Sequence, residues 1–408
     1  MNKLKDILLK SKYELSLFAA LCMNFLLFFT KNDIMSDAIY PIHLVDLKIG
    51  FISRTLVGTI NGLLFQNPTK AEVAFIQTIV CIITFFLTSV FLGKCIRKAD
   101  ENSGRILFVI SLIIAVFPYG FMTFINLFEL LDIYWLLSAV LCLISAENKA
   151  TALLIPVFII VGLWSHYAFL LAFMPVIYIL CFSFCLKHKS KYAYILTAFM
   201  IAVSVPATLY FFATNRTFNV ISFSEFEDYI MNKAGDKIIL FEPYCGEVFR
   251  PMEEFPFEHY EEVYSLPGWV KDASPSVQTL YCSFFFAFAD SSVPGVITDI
   301  ILVIPVVLFF EAIWKKAMST TEDKKEKFIY FLCLISPIIQ LIACLTSSDT
   351  SRWLSIMVIS GLFLLALFIK EKTAPVSEAL CSITEKLEKH KAPLLFVLLF
   401  YLTIVFVW

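Results

Sequence analysis

Charge is scarce in this 408-residue chain: Asp, Glu, Lys and Arg make up 16%, and the formal net charge is −2. Soluble domains carry roughly 25% charged residues. No basic patch or nucleic-acid motif is present, which excludes nucleic acid as a partner. The 11 cysteines include no CxxC pair and no Cys/His run with metal-ligand spacing, so a structural zinc is excluded. No P-loop, GxGxxG, HExxH or Ser-His-Asp order occurs, which argues against an NTPase, a dehydrogenase, a metalloprotease or a serine hydrolase. Internal repeats, low-complexity tracts and a soluble cytoplasmic domain are also missing. No small-x-small cleavage site follows the first apolar run, Leu15 to Phe29. That run, preceded by Lys3, Lys5, Lys10 and Lys12, reads as a retained span.

What the chain has in abundance is apolar surface. It is 59% hydrophobic with 43 Phe, and its mean hydropathy is +0.81. This composition predicts an all-α polytopic membrane protein. Eleven apolar stretches of spanning length run roughly 14–30, 72–93, 106–124, 126–146, 150–164, 167–186, 192–213, 295–314, 328–346, 353–369 and 392–408. The stretch 278–290 is apolar but short, and reads as re-entrant or interfacial. With the N-terminus and alternate loops on the cytoplasmic side, that side holds 22 of the 32 Lys and Arg but only 11 of the 34 Asp and Glu. This is the positive-inside bias. It predicts a multi-pass protein of the cytoplasmic (inner) membrane with a cytoplasmic N-terminus, and an extracytoplasmic C-terminus at Trp408.

Three regions follow. Residues 1–213 form a membrane domain of seven spans, with an outer loop and in-plane helix at 31–66. Residues 214–294 form an extracytoplasmic loop or cap containing the re-entrant segment. Residues 295–408 form a second membrane domain of four spans. The loop 215–276 carries 12 acidic against 5 basic residues and many aromatics, which predicts a folded cap rather than a tether. Cys245 and Cys282 lie in and just past it, where a disulfide is conceivable but unsupported. Most other cysteines read as small buried hydrophobes.

Unusual polar residues gather on the outer face. The first outer loop holds Asp33, Asp37 and Asp46. It leads into a segment with Ile52, Leu56, Ile60 and Leu63/Leu64 on one side and Arg54, Gly58, Asn61 and Gly62 on the other. That pattern predicts an interfacial helix with an apolar stripe. It reads either as a lipid-head-group site or as a connecting loop with a packing helix. Glu129 and Asp132 are spaced i, i+3 at the outer end of the fourth stretch. They read as a carboxylate pair with one raised pKa, suited to general base work, or as helix-start charges complementing the dipole. His166 reads as a base, as a hydrogen-bond donor to phosphate or as a structural interfacial residue. Asp349 is a candidate N-cap. Arg352 sits in a first turn, where the dipole disfavours a cation. A bound anion, a lipid phosphate or a pair with Asp349 would each account for it. This site also reads as peripheral to packing.

Taken together, the acidic first outer loop with GFISRTLVG, FELLD at Glu129–Asp132, His166, the long outer loop and DTSRW at Asp349–Trp353 resemble two families. These are the GT-C-type membrane glycosyltransferases and the Wzy- and EpsG-like bacterial polysaccharide polymerases. The likeness is architectural and covers most of the chain, but the large C-terminal soluble domain of many GT-C enzymes is missing. The resemblance implies transfer of a sugar or growing glycan from a polyprenyl-(di)phosphate donor on the extracytoplasmic face. It implies Asp33, Asp37 or Asp46 as catalytic base. It also implies Arg54, Arg216, Arg250 or Arg352 as phosphate ligands. Mg2+ or Mn2+ suits carboxylates plus phosphates, but nothing in the sequence requires either. The competing class is a transporter or flippase of lipid-linked sugars. It is disfavoured because no inverted repeat or paired broken helices are visible. A non-catalytic membrane scaffold is a third reading.

Overall fold

A computed structural model describes residues 11–29, 35–36, 39–126, 130–148, 150–188, 191–214, 223–236, 293–345 and 350–389. Among these residues every regular element is helical. The helices are α1 (Lys12–Phe29), α2 (Thr55–Leu64), α3 (Lys70–Lys98), α4 (Glu101–Val116), α5 (Thr123–Asn126), α6 (Asp132–Ser145), α7 (Ile155–Ser165) and α8 (Phe169–Ala172). They continue as α9 (Met174–His188), α10 (Lys191–Thr214), α11 (Phe223–Lys233), α12 (Val293–Thr320), α13 (Lys324–Leu345), α14 (Thr350–Lys370) and α15 (Ala374–Glu388). A 3-10 turn, Tyr40–Leu44, precedes α2.

Four described helices are long and apolar enough to cross a membrane: α3, most of α10, most of α13, and α14. A fifth arises if α4 and the segment after it count as one bent span. The count covers the described residues and is lower than the eleven apolar stretches, of which some break or shorten and others lie partly or wholly outside those residues. Between α4 and α5 the axis turns by 50°. Pro118 cannot donate to the helical ladder. Gly120 lies outside helical geometry, and a Cβ there would sit 2.0 Å from the Ile114 carbonyl oxygen. Among the described residues, a short helix ends at Asn126 and the next begins at Asp132, within the stretch 126–146, and 150–164 begins with a 3-10 turn. The segment 278–290, the cysteines Cys245 and Cys282, and the last stretch 392–408 lie outside the described residues.

Local chemistry sets the helix ends. Thr69 and Glu72 form a reciprocal capping box at the start of α3. Asp100 accepts from the Ser103 N–H at 2.9 Å to start α4. Inside the apolar helices, Thr84, Thr88, Ser89 and Ser111 donate to carbonyls four residues back, so their hydroxyls are satisfied without a partner helix.

α14 is the centre of the bundle. Trp353 to Ile369 are buried without a break, as expected of a helix that is apolar all round. It packs against α3, α4, α12 and α13. Its Phe368 interlocks with Trp314 and Tyr330, and its Phe363 packs edge-on against Phe91. Lys94 and Lys370 both bind Glu147, and Arg97 binds Glu14. These contacts gather the end of α3, the end of α6, the end of α14 and the start of α1 at one end of the bundle. The opposite end carries α2, α11 and the starts of α6 and α14, and every described site residue lies there.

Candidate functional site

The site begins where the residues before α2 are stitched to the α7–α8 turn. Ser53 Oγ accepts from the Tyr167 N–H at 2.8 Å and donates to the Leu163 carbonyl at 3.4 Å. The Arg54 N–H donates to the Trp164 carbonyl at 2.8 Å, and Trp164 Nε1 donates to Thr55 Oγ1 at 2.9 Å. Between these fixed points Arg54 adopts φ 76°, a left-handed conformation. Such a conformation costs a side-chain-bearing residue about 1–2 kcal/mol. Strain of this kind persists where the surroundings over-determine it, and it clusters at functional sites.

His166 follows α7 in extended conformation. It stacks on Tyr167 with ring centroids 4.8 Å apart and lies 5.0 Å from the Trp135 ring. Its Nδ1 accepts from the Ala168 N–H at 3.0 Å. That contact places the proton of the neutral imidazole on Nε2. The ring keeps some exposure at its edge, yet its nitrogens are densely surrounded. Burial first, then the nearby Arg54 and Arg352 guanidiniums, hold its pKa well below the ordinary histidine value. His166 is therefore a neutral donor through Nε2. It is poorly suited to the role of base.

Arg352 enters from the first turn of α14. Its Nε lies 2.9 Å from Asp132 Oδ2, with side-chain exposures of 14% and 3%. The N–H is not aligned for a hydrogen bond, so the contact is an ion pair held by charge. Cζ of Arg352 sits 5.9 Å from the Trp135 ring centroid, and Trp353 packs 6.5 Å from Trp135. Asp132 is the first residue of α6, where the helix dipole stabilises its charge. Arg352 is thus seated on a buried carboxylate and an aromatic face, which corrects the expectation that its position is peripheral to packing. The sequence offered an anion, a lipid phosphate or Asp349 as its partner; the ion pair found among the described residues is with Asp132, 220 residues earlier.

Asp46 belongs to a different cluster. Lys233, the last residue of α11, donates to Asp46 Oδ2 at 2.6 Å, to the Leu44 carbonyl at 2.7 Å and to the Gly58 carbonyl at 3.5 Å. Asp46 Oδ1 accepts from the Lys48 N–H at 2.9 Å. Burial pushes the Asp46 carboxyl up, but Lys233, Tyr229 and the Lys48 N–H outweigh it and hold the group below the ordinary carboxylate value. For Lys233, burial wins over the attraction of Asp46, and its pKa is lowered. The two directions agree on one picture, a desolvated pair whose charged state is kept by contact. A carboxylate so held is a weak base.

α2 links the two clusters. Its buried face carries Leu56, Val57, Gly58 and Asn61, while Leu63 is 82% exposed and Leu64 57%. The side that carries Gly58 and Asn61 thus packs inward. Gly58 permits it, since a Cβ there would meet the Val45 carbonyl oxygen at 2.0 Å. Asn61 Nδ2 donates to the His43 carbonyl at 3.1 Å.

Of the predicted site residues, Arg54, His166, Arg352 and Asp132 come together, and Asp46 is placed beside Lys233 instead. Asp33, Asp37, Glu129 and Asp349, with Arg216 and Arg250, lie outside the described residues. Among the described residues no group of three or more His, Cys, Asp or Glu is placed to hold a metal ion. Sequence reading missed Ser53, Trp135, Trp164 and Lys233. It also missed Asp299, whose Oδ1 accepts from the Tyr119 hydroxyl next to the Pro118–Met122 break. The aromatic run around His166, LWSHY, was the available signal for Trp164. Lys233 had none, being one of five basic residues in a long loop. Compared with family models, curated proteins and solved structures, the chain matches none of them.

Proposed function

We propose that the protein is an integral membrane glycosyltransferase or polysaccharide polymerase. In this reading it transfers a sugar or glycan from a polyprenyl-(di)phosphate donor on the extracytoplasmic face of the cytoplasmic membrane. The observation that carries the reading is the convergence of Arg54, Arg352 and neutral His166 at one end of the bundle, under Trp135. Two guanidiniums and an Nε2–H donor suit the oxygens of a phosphate. The strained backbone of Arg54 and the aromatic seat of Arg352 fix those donors before the substrate arrives, as electrostatic stabilisation of a leaving group needs.

The chemistry is substitution at the anomeric carbon. An acceptor hydroxyl oxygen forms the new C–O bond, and its proton passes to a carboxylate. The bond from the anomeric carbon to the phosphate oxygen breaks, and its electron pair leaves with the polyprenyl (di)phosphate. Arg54, Arg352 and the His166 Nε2–H bind the negative charge that develops. Asp132 positions Arg352, and Asp46 is held by Lys233, so the base falls to Asp33, Asp37 or Glu129. In the eleven-span, positive-inside reading of the sequence these residues face outside. The exposed Leu63 and Leu64 lay α2 in the interface.

Two measurements test the proposal. Reporter fusions at Lys189, Lys324 and Glu385 should read cytoplasm, and one at Glu254 should read outside; a cytoplasmic Glu254 sinks the sidedness. Purified, monodisperse Arg352→Lys protein should form little glycan from a polyprenyl-linked donor, because lysine keeps the charge opposite Asp132 but loses the bidentate fork. The expected cost is about 2–4 kcal/mol of transition-state stabilisation. Full activity would remove Arg352 from the reaction.

A further inference from the structure

Beside the Asp46–Lys233 pair lies an open cavity of about 450 Å3 that the transfer reading does not use. It runs between the 46–48 segment, the C-terminal half of α2 and the last turn of α11. Its size falls in the range of small-molecule sites. Asp46 and Lys233 form the floor, and their bonds to one another and to the Leu44 and Gly58 carbonyls leave that floor charge-balanced. Gly62 keeps the floor open, because a Cβ there would sit 3.2 Å from Lys233 Nζ. The walls carry the exposed amides of Gln66, Asn67 and Asn232, the half-buried ring of Tyr229 and the apolar Leu63.

Those groups select a ligand class. Each amide offers donors and an acceptor side by side. An aromatic face and an apolar rim suit a ligand with C–H surface as well. An anion would want more cation than the exposed Lys48, and it would meet the Asp46 carboxylate in the wall. A cation would meet two lysines. A ligand dense in hydroxyls, each both donor and acceptor, with C–H faces between them, meets every wall. We infer that this cavity binds a neutral saccharide segment and that, given the transfer reading above, the segment is the acceptor end of the glycan. The shared helix supports the second step: α2 presents Arg54 at one end and Gly62 and Leu63 at the other, so donor phosphate and acceptor sugar would flank one short element.

Saturation-transfer NMR tests the site on the full chain in lipid nanodiscs, which avoid detergents with sugar head groups. The probes are cellotetraose, chitotetraose, maltotetraose and mannotetraose, each at millimolar concentration. At least one should show saturation transfer. That signal should fall at least five-fold in Asn232→Trp, which fills the cavity from an exposed position, and in Gln66→Ala/Asn67→Ala, which removes two amides. It should be unchanged in Arg352→Lys, which keeps the charge opposite Asp132, so the groove stands or falls separately from the donor site. No transfer from any of the four sugars, or equal transfer in the wild type and Asn232→Trp, overturns the inference.

Discussion

The two polar clusters flanking α2 use their cations in opposite ways. At Lys233 one flexible ammonium is surrounded by oxygens: a carboxylate and two main-chain carbonyls, all within hydrogen-bonding reach. At the other end two guanidiniums approach a histidine ring, and one of them, Arg352, pairs with Asp132 at the start of the helix that carries Trp135. The first arrangement closes on itself and ties α11 to the segment before α2. The second holds rigid, planar donors against a neutral ring and an aromatic face. A lysine that saturates itself with backbone oxygens is a fastener. Arginines held by strain and stacking instead keep one fixed geometry, which in the transfer reading proposed above would meet a phosphate.

The comparison breaks most directly at Lys233. Lys233→Met leaves Asp46 buried without its cation, and removing one partner of a buried pair costs about 3–5 kcal/mol. Thermal unfolding should shift down by that amount, with earlier proteolysis near α11. Adding Asp46→Leu should restore most of the loss, because a well-packed apolar pair replaces a buried ionic one at little cost. A Lys233→Met protein as stable as the wild type would show that the fastener holds nothing.

Arg54→Gly sharpens the contrast at the other end. Glycine accepts φ 76° without penalty, so the relief of about 1 kcal/mol should offset much of what is lost with the side chain. Unfolding should stay within about 1 kcal/mol of the wild type while glycan formation fails. Stability lost in parallel with activity would make Arg54 a structural residue.

The smallest effect is a pH limb. Asp46 is held below its unfolded value, so its contribution is fully present above the unfolded carboxylate pKa, about 3.9, and is lost as pH falls through the lower folded value. Asp46→Asn should be less stable than the wild type at neutral pH, and the two curves should converge under acid. A constant difference across the carboxylate range would assign the stability to packing instead.

Much of the fold was legible because apolar length is a local property. The helices 70–98, 191–214, 324–345 and 350–370 coincide with apolar stretches, while the caps Thr69 and Asp100, though local, went unread. Arg54, Asp132, His166 and Arg352 were legible as candidates because charge is rare in so apolar a chain. Their partners were not. Arg352 pairs with Asp132 and Asp46 with Lys233, and neither pairing was among the alternatives that the sequence offered. The orientation of α2 was not legible either: Leu56, Gly58 and Asn61 face the protein while Leu63 and Leu64 are exposed.

By itself, then, the sequence determined the helical class, the places where the chain can turn, and a short roster of polar residues that an apolar chain would not carry idly. These depend on neighbours within a few positions. Tertiary structure alone decided that Asp132 meets Arg352, that Lys233 crosses from a distant loop to hold Asp46, and that Arg54 sits in a left-handed bend stitched to Ser53, Trp164 and Tyr167. Pairings over such separations leave no periodic trace, because they are set by which helix faces fit together, down to a glycine that lets one backbone lie against another.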